Sequence, residues 1–202
     1  SVLYYIFYRI SPTTGHSEMF KNQKPTYYHD YLKLDSLLGA QSPKSKEQGS
    51  EAHEEMLFII VHQAYELWFK QILHDLKFIR NIFTKNKILD DELSECTLKL
   101  ERIHKIKGLL LTQIDVLETM TPMDFLEFRD LLIPASGFQS VQFREIEIGL
   151  GLNENQRPDL KQYNFMGRLN KQDQNNLKNL MEEKSLFSLV EKWLERTPFL
   201  KD

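Results

Sequence analysis

Cysteine is almost missing: Cys96 stands alone among 202 residues. A single thiol excludes an intrachain disulfide framework and a thiolate-built metal site, and it fits a reducing compartment. A basic excess is missing too. Lys and Arg total 26 against 29 Asp and Glu, a formal charge of −3, so the chain lacks the electrostatic footprint of a nucleic-acid or acidic-membrane binder. No apolar run is long enough to span a bilayer. The opening SVLYYIFYRI is only about ten residues long and carries Arg9. It has no basic n-region and no small-residue cleavage site, so residues 1–26 read as an atypical leader and loop. There is no P-loop, no GxGxxG and no nucleophile elbow. The histidines (His16, His29, His53, His62, His74 and His104) form no HxxxH or HExxH pair. His53 and His62 are half a turn out of phase on a helix, so no protein-only metal centre is expected.

Glycine and proline are absent from residues 53–83, HEEMLFIIVHQAYELWFKQILHDLKFIRNIF, which predict a helix roughly 46 Å long. Its front half is apolar nearly all round, the mark of a helix buried on several sides. Yet His62, Gln63 and Glu66 interrupt it, and each needs a partner, because an unsatisfied buried polar group costs about 1–3 kcal/mol. At 100° per residue Phe58, His62 and Glu66 share one face. That face is either a core histidine satisfied by its neighbours or one wall of a ligand site.

The rest of the chain reads as helices joined by polar segments, with no sustained strand alternation and no repeat. The class is all-α, a helical bundle with long central helices, and residues 27–202 form one domain. A short stripe at Leu34, Leu37 and Leu38 stops at Gly39, and 41–52 reads as a hydrophilic linker. A second long helix opens at Asp90-Asp91-Glu92. Leu93, Leu100 and Ile114 make one seven-step row on it, and Cys96, Ile103, Leu110 and Leu117 another, a seam suited to antiparallel packing. Thr121-Pro122 starts a helix predicted to run to Pro134, and FQSVQFREIEIGLG forms another, closed by Gly149 and Gly151. Residues 153–176 read as a surface connection, and 177–196 as the last helix.

Phe125 and Arg129 repeat the aromatic-plus-polar spacing of Phe58 and His62. Arg129 is either a surface cation paired with Asp124 or Asp130, or a planar fork that clamps a ligand carboxylate. Ser136-Gly137 reads as a turn, and Tyr28 and Tyr31, three apart, as packing residues.

Four runs, in order, resemble the N-terminal half of the tryptophan 2,3-dioxygenase family: YLKLDSLLGAQ, HEEMLFIIVHQAYELWFKQIL, LETMTPMDFLEFRDLLIPASGFQSVQFREIE and LVEKWLERTP. The resemblance covers residues 28–197. It implies an all-α, cytoplasmic homotetramer that uses haem b and O2 to open the indole ring of L-tryptophan. The product is N-formylkynurenine, the first step of tryptophan catabolism by the kynurenine pathway. Carried over by motif, the F-x-x-x-H run Phe58, Ile59, Ile60, Val61 and His62 lines the substrate pocket. His62 there accepts a hydrogen bond from the indole N–H, as a positioning residue rather than a nucleophile. Phe125 and Arg129 match F-x-x-x-R, with Arg129 answering the substrate carboxylate. Ser136-Gly137 approaches the haem, and Tyr28 and Tyr31 reach into a neighbouring subunit's pocket. Two departures stand out. His29 replaces the family's glycine, and nothing here matches the proximal haem histidine or the threonine-bearing Gly/Ser-rich loop of the family's C-terminal half. The chain is therefore expected to supply no metal ligand. A second polypeptide then supplies that half, or the sequence is a fragment inactive alone. The rival is a non-catalytic helical module kept for oligomerisation or partner binding.

Overall fold

The computed structural model describes residues 26–152 and 166–197. The leader, apart from Thr26, and most of the expected 153–176 connection lie outside the described residues. The chain divides into two units, residues 1–40 and 41–202.

In the first unit, helices α1 (Tyr28–Leu32) and α2 (Leu34–Leu38) are split at Lys33, whose φ of 55° is left-handed. The expected stripe of Leu34, Leu37 and Leu38 lies wholly on α2. Gly39 ends α2, and a Cβ there would meet the Asp35 carbonyl oxygen at 2.8 Å.

The second unit opens with a correction. The segment read as linker holds a helical turn, α3 (Lys44–Glu47), and buries Ser45 and Ala52. Glu55 is what pins it. Its carboxylate accepts the Lys44 N–H at 2.7 Å, the Ser45 N–H at 2.9 Å and the Ser45 hydroxyl at 2.5 Å. Burial pushes this carboxyl up, but the bonds from Ser45 and Lys44 outweigh it and hold it below the ordinary 4.5.

Glu55 stands in the first turn of α4 (Glu54–Phe83), which pairs with α5 (Asp90–Leu117) as an antiparallel hairpin. Three contacts fix the register. Lys85 pairs with Glu92 beside the turn. Arg102 donates to both oxygens of buried Asp75, at 3.1 and 3.3 Å. The Tyr65 hydroxyl donates to the Leu110 carbonyl at 2.5 Å. Of the two seven-step rows on α5, Cys96, Ile103 and Leu110 are buried against α4, while Leu100 and Ile114 are exposed.

After α6 (Pro122–Leu126) come α7 (Val141–Leu150), α8 (Lys171–Glu182) and α9 (Leu186–Glu195). The polar α8 was read as connection up to residue 176. Asn170 caps it, accepting the Asp173 N–H at 2.9 Å, and Ser185 caps α9 separately, so one expected helix is two. Gly149 does not close α7 but lies inside it, where a Cβ would meet Leu76 Cδ2 at 2.9 Å; Gly151, at φ 105°, is the cap. α7 and α9 cover the far half of the hairpin through Phe69–Phe143 and Phe83–Trp193 ring contacts. The main core gathers there, from Phe69 to Phe83 and Cys96 to Leu110, with Ile146, Leu186 and Leu189. The fold is all-α, with no strand among the described residues.

Candidate functional site

The front of α4 resolves the problem of its three polar residues. Gln41 donates to Gln63 at 2.6 Å, and Gln142 on α7 donates to the Glu66 carboxylate at 2.8 Å and to its carbonyl at 2.9 Å. His62 is different. It is exposed, and its Nδ1 lies 2.7 Å from the Phe58 carbonyl. A carbonyl only accepts, so Nδ1 carries the proton, and in the neutral ring Nε2 is left as an acceptor.

Phe58 joins the His62 ring to an aromatic cluster. The Phe58 ring lies 4.1 Å from the His62 ring, 5.7 Å from Phe125 and 5.6 Å from Phe128. Phe125 and Phe128 meet edge to face at 5.4 Å. Phe128 is 0% exposed and anchors the cluster, yet it was not singled out from the sequence. The three-residue spacing of Phe125 and Phe128 was the available signal.

Thr121 begins α6 as expected: its hydroxyl accepts the Asp124 N–H at 3.2 Å, and its own N–H donates to the Asp124 carboxylate at 2.9 Å. Those Thr121 bonds hold the Asp124 carboxyl below its usual value. The helix does not run on to Pro134. It ends at Leu126, Phe128 leaves helical dihedrals at φ −127° as its ring turns inward, and Arg129–Leu132 form a 3-10 turn. Phe125 and Arg129 are thus not one turn apart on a single helix. Arg129 is exposed, and no hydrogen bond or ion pair engages its guanidinium among the described residues. The expected pairing with Asp124 does not form, because Thr121 occupies that carboxylate.

The Phe58–His62 run does not face one way. Val61 is 4% exposed and points inward, whereas Ile60 is 47% exposed and sits about 200° round the helix from Phe58. Ile60 instead lines a shallow cavity of about 690 Å³ with Pro43, Ala52, Met56 and Leu57. Ile59 is half-buried. Tyr28 and Tyr31 are exposed on α1 in the first unit, and His29 Nε2 lies 3.4 Å from Asp35.

Ser136 caps a 3-10 turn, Gly137–Gln139, accepting the Phe138 N–H at 3.3 Å and donating its own N–H to Gln139 at 3.0 Å. A Cβ on Gly137 would meet nothing within 4 Å. The following helix carries Gln142, which ties this stretch to α4 one turn beyond His62. A larger cleft, about 820 Å³, lies towards the other end of α4 between Leu76, Arg80, Glu145 and Leu180, and holds none of these residues.

No group of three or more His, Cys, Asp or Glu side chains could hold a metal among the described residues. Cys96 is buried, which pushes its thiol up and away from thiolate chemistry. The exposed His62 ring, packed on Phe58, can accept one N–H, and Arg129, the residue after Phe128, carries an exposed guanidinium.

By fold the chain is an all-α protein, and it presents an exposed histidine packed on an aromatic cluster. The family model for tryptophan 2,3-dioxygenase matches residues 12–202. A tryptophan 2,3-dioxygenase of Alteromonas mediterranea is 52% identical over 183 residues, 91% of this chain and 51% of that protein. Those of Bdellovibrio bacteriovorus and Dictyostelium discoideum are 54% and 51% identical, over 88% of this chain and 49% and 44% of their own length. The chain belongs to the tryptophan 2,3-dioxygenase family, and it spans about half the length of these relatives. No described helix is long and apolar enough to cross a membrane.

Proposed function

We propose that this chain forms part of a cytoplasmic, homotetrameric haem dioxygenase that opens the indole ring of L-tryptophan with O2, giving N-formylkynurenine. The observation that carries the reading is His62: its Nδ1–H is held by the Phe58 carbonyl, leaving Nε2 as an acceptor on an exposed residue whose ring packs on Phe58, itself in contact with Phe125. An indole N–H is a donor on a flat aromatic frame, and this corner is complementary to both features. Arg129, with no hydrogen bond or ion pair among the described residues, receives the amino-acid carboxylate through its fork. Haem, when bound, supplies the activation of O2. The protein's part is orientation, which needs no strong general base. Ser136 and Gly137 line the haem, and Tyr28 and Tyr31 close the pocket of a neighbouring subunit. The proximal haem ligand comes from outside residues 1–202, and the chain alone binds haem weakly.

The test crosses residue with substrate in the haem-loaded assembly. N-methylation of the indole lowers kcat/KM more in the original protein than in His62→Ser, because only the original loses an acceptor contact. Arg129→Lys lowers kcat/KM roughly ten- to 150-fold, from about 1.5–3 kcal/mol of charge-assisted bonding, and less for an indole lacking the carboxylate. Additive losses at His62, or equal losses at Arg129 for both substrates, remove the respective roles. Tight haem binding by the isolated chain, lost on changing one of its own histidines, removes the assignment of the axial ligand.

A further inference from the structure

The polar segment before α4 is tied to that helix at two places, and Phe58 and His62 stand between them. Gln41 donates to Gln63, the neighbour of His62, at 2.6 Å. Nearer the start of α4, Glu55 accepts the Lys44 and Ser45 N–H groups and the Ser45 hydroxyl. Ser45 is the hub of this second tie. Its hydroxyl also accepts the Ala52 N–H at 3.0 Å, and its carbonyl accepts the Ser50 N–H at 3.0 Å. Ser45 and Glu55 are both 1% exposed. A helical turn of 4 residues such as α3 does not hold its own shape in water, so its order comes from these bonds. The far side of α3 lies against the 3-10 turn Arg129–Leu132. That turn is therefore supported from two directions, and both lead back to α4. Phe128, immediately before Arg129, packs its ring on Phe58. α3 is held by Glu55, three residues before Phe58 and on the adjoining part of the helix surface.

We propose that Glu55 is a positioning residue, which sets the place of Arg129 through the Ser45 turn. The proposal rests on the carboxylate-binding role given to Arg129 above. Glu55 is buried and acts only through α3. When its carboxylate bonds are lost, the Ser45 turn loosens and the Arg129 turn keeps one support, at Phe128. The guanidinium fork then stays close to its place but loses its aim. A misplacement of about 1 Å costs on the order of a hundredfold in rate, so a partial loss of aim is expected to cost about tenfold.

Two measurements test it. In this chain, amide hydrogen exchange is followed at Leu131, whose N–H donates to the Phe128 carbonyl at 3.0 Å. The reference is Lys85 in the hairpin turn, whose N–H donates to the Ile82 carbonyl at 3.0 Å. Glu55→Gln speeds exchange at Leu131 at least about fivefold more than at Lys85, because only the Arg129 turn loses a support. In the haem-loaded assembly, the same substitution lowers kcat/KM for L-tryptophan about tenfold in the original background. With Arg129→Lys already present it costs less than about threefold, because the fork that it positions is gone. Additive losses overturn the proposal, and so does exchange at Leu131 that rises no more than at Lys85. If Arg129→Lys alone costs nothing, it is the role of Arg129 that has failed, and exchange at Leu131 decides whether Glu55 holds the turn. Should Glu55→Gln not fold, Ser45→Ala decides by the same two measurements, since it removes the hydroxyl and leaves both backbone N–H groups on the carboxylate.

Discussion

The two ends of the α4–α5 hairpin are built from the same two helices and end up as different materials. Towards the turn, Ile72, Leu76 and Ile79 on α4 face Cys96, Ile103 and Ile106 on α5, and α7 and α9 close the sides, so these residues are 0–6% exposed. Towards the other end, Ile60, Leu67 and Trp68 on α4 and Leu109, Leu111 and Ile114 on α5 are 37–69% exposed. The candidate site lies at this second end. Stability is thus concentrated where no predicted site residue stands, and the residues offered to ligands contribute little to it. A binding surface that must remain accessible cannot also be spent on the core.

The sharpest way to break that comparison is to truncate matched side chains. Ile79→Ala, at 0% exposure, is expected to cost about 2–5 kcal/mol in urea unfolding. Ile60→Ala should stay within about 0.5 kcal/mol in this chain. Equal costs would mean that the two ends are not different.

Glu55 is the exception at the open end, because it is buried and bonded. Glu55→Gln turns an amide donor against one of the two backbone N–H groups that the carboxylate accepts and should cost about 1–3 kcal/mol at neutral pH. The sign of the pH dependence follows from its depressed carboxyl. A group whose pKa is lower folded than unfolded stabilises the protein above its unfolded value, here near 4.5. That stability is lost as pH falls through the lower folded value. Melting curves should therefore bring the original protein and the variant together as pH drops below 4.5; a gap that stays constant would assign Glu55 a role in packing alone.

Phe128→Leu comes next. It keeps the anchor apolar but removes the edge-to-face contacts with Phe58 and Phe125, at a cost of about 1 kcal/mol. The near-ultraviolet circular dichroism should change with it, and an unchanged spectrum would separate Phe128 from the site. Smallest of all is His62→Ser. Its ring is exposed and bonds only a local carbonyl, so the melting temperature should shift by no more than about 0.5 kcal/mol implies. A collapse in stability would return His62 to the core.

Much of this was legible in the residues. The long helices and the Thr121 cap lie where spacing and end signals place them, and His62, Gln63 and Glu66 were marked as needing partners. The failures share a cause. The 41–52 segment has the composition of a linker, and only Glu55, several residues away, makes it ordered by bonding its backbone. α8 is short of apolar residues, so its hydrophobic periodicity is faint, although the Asn170-to-Asp173 cap spacing was visible. The helix after Thr121 stops early because Phe128 is claimed by rings from another part of the chain.

The sequence by itself determined the all-α class, the extent of α4 and α5, and the family, because helix periodicity, caps and motif order depend on residues close together along the chain. Only the tertiary structure decided which seven-step row of α5 is buried, that Glu66 answers to Gln142, that Arg129 keeps no partner among the described residues, and that Phe128 anchors the aromatic cluster. Those outcomes turn on competition between groups far apart in sequence. Which of several possible partners wins is set by the packing of whole helices, a quantity that no local window of residues contains.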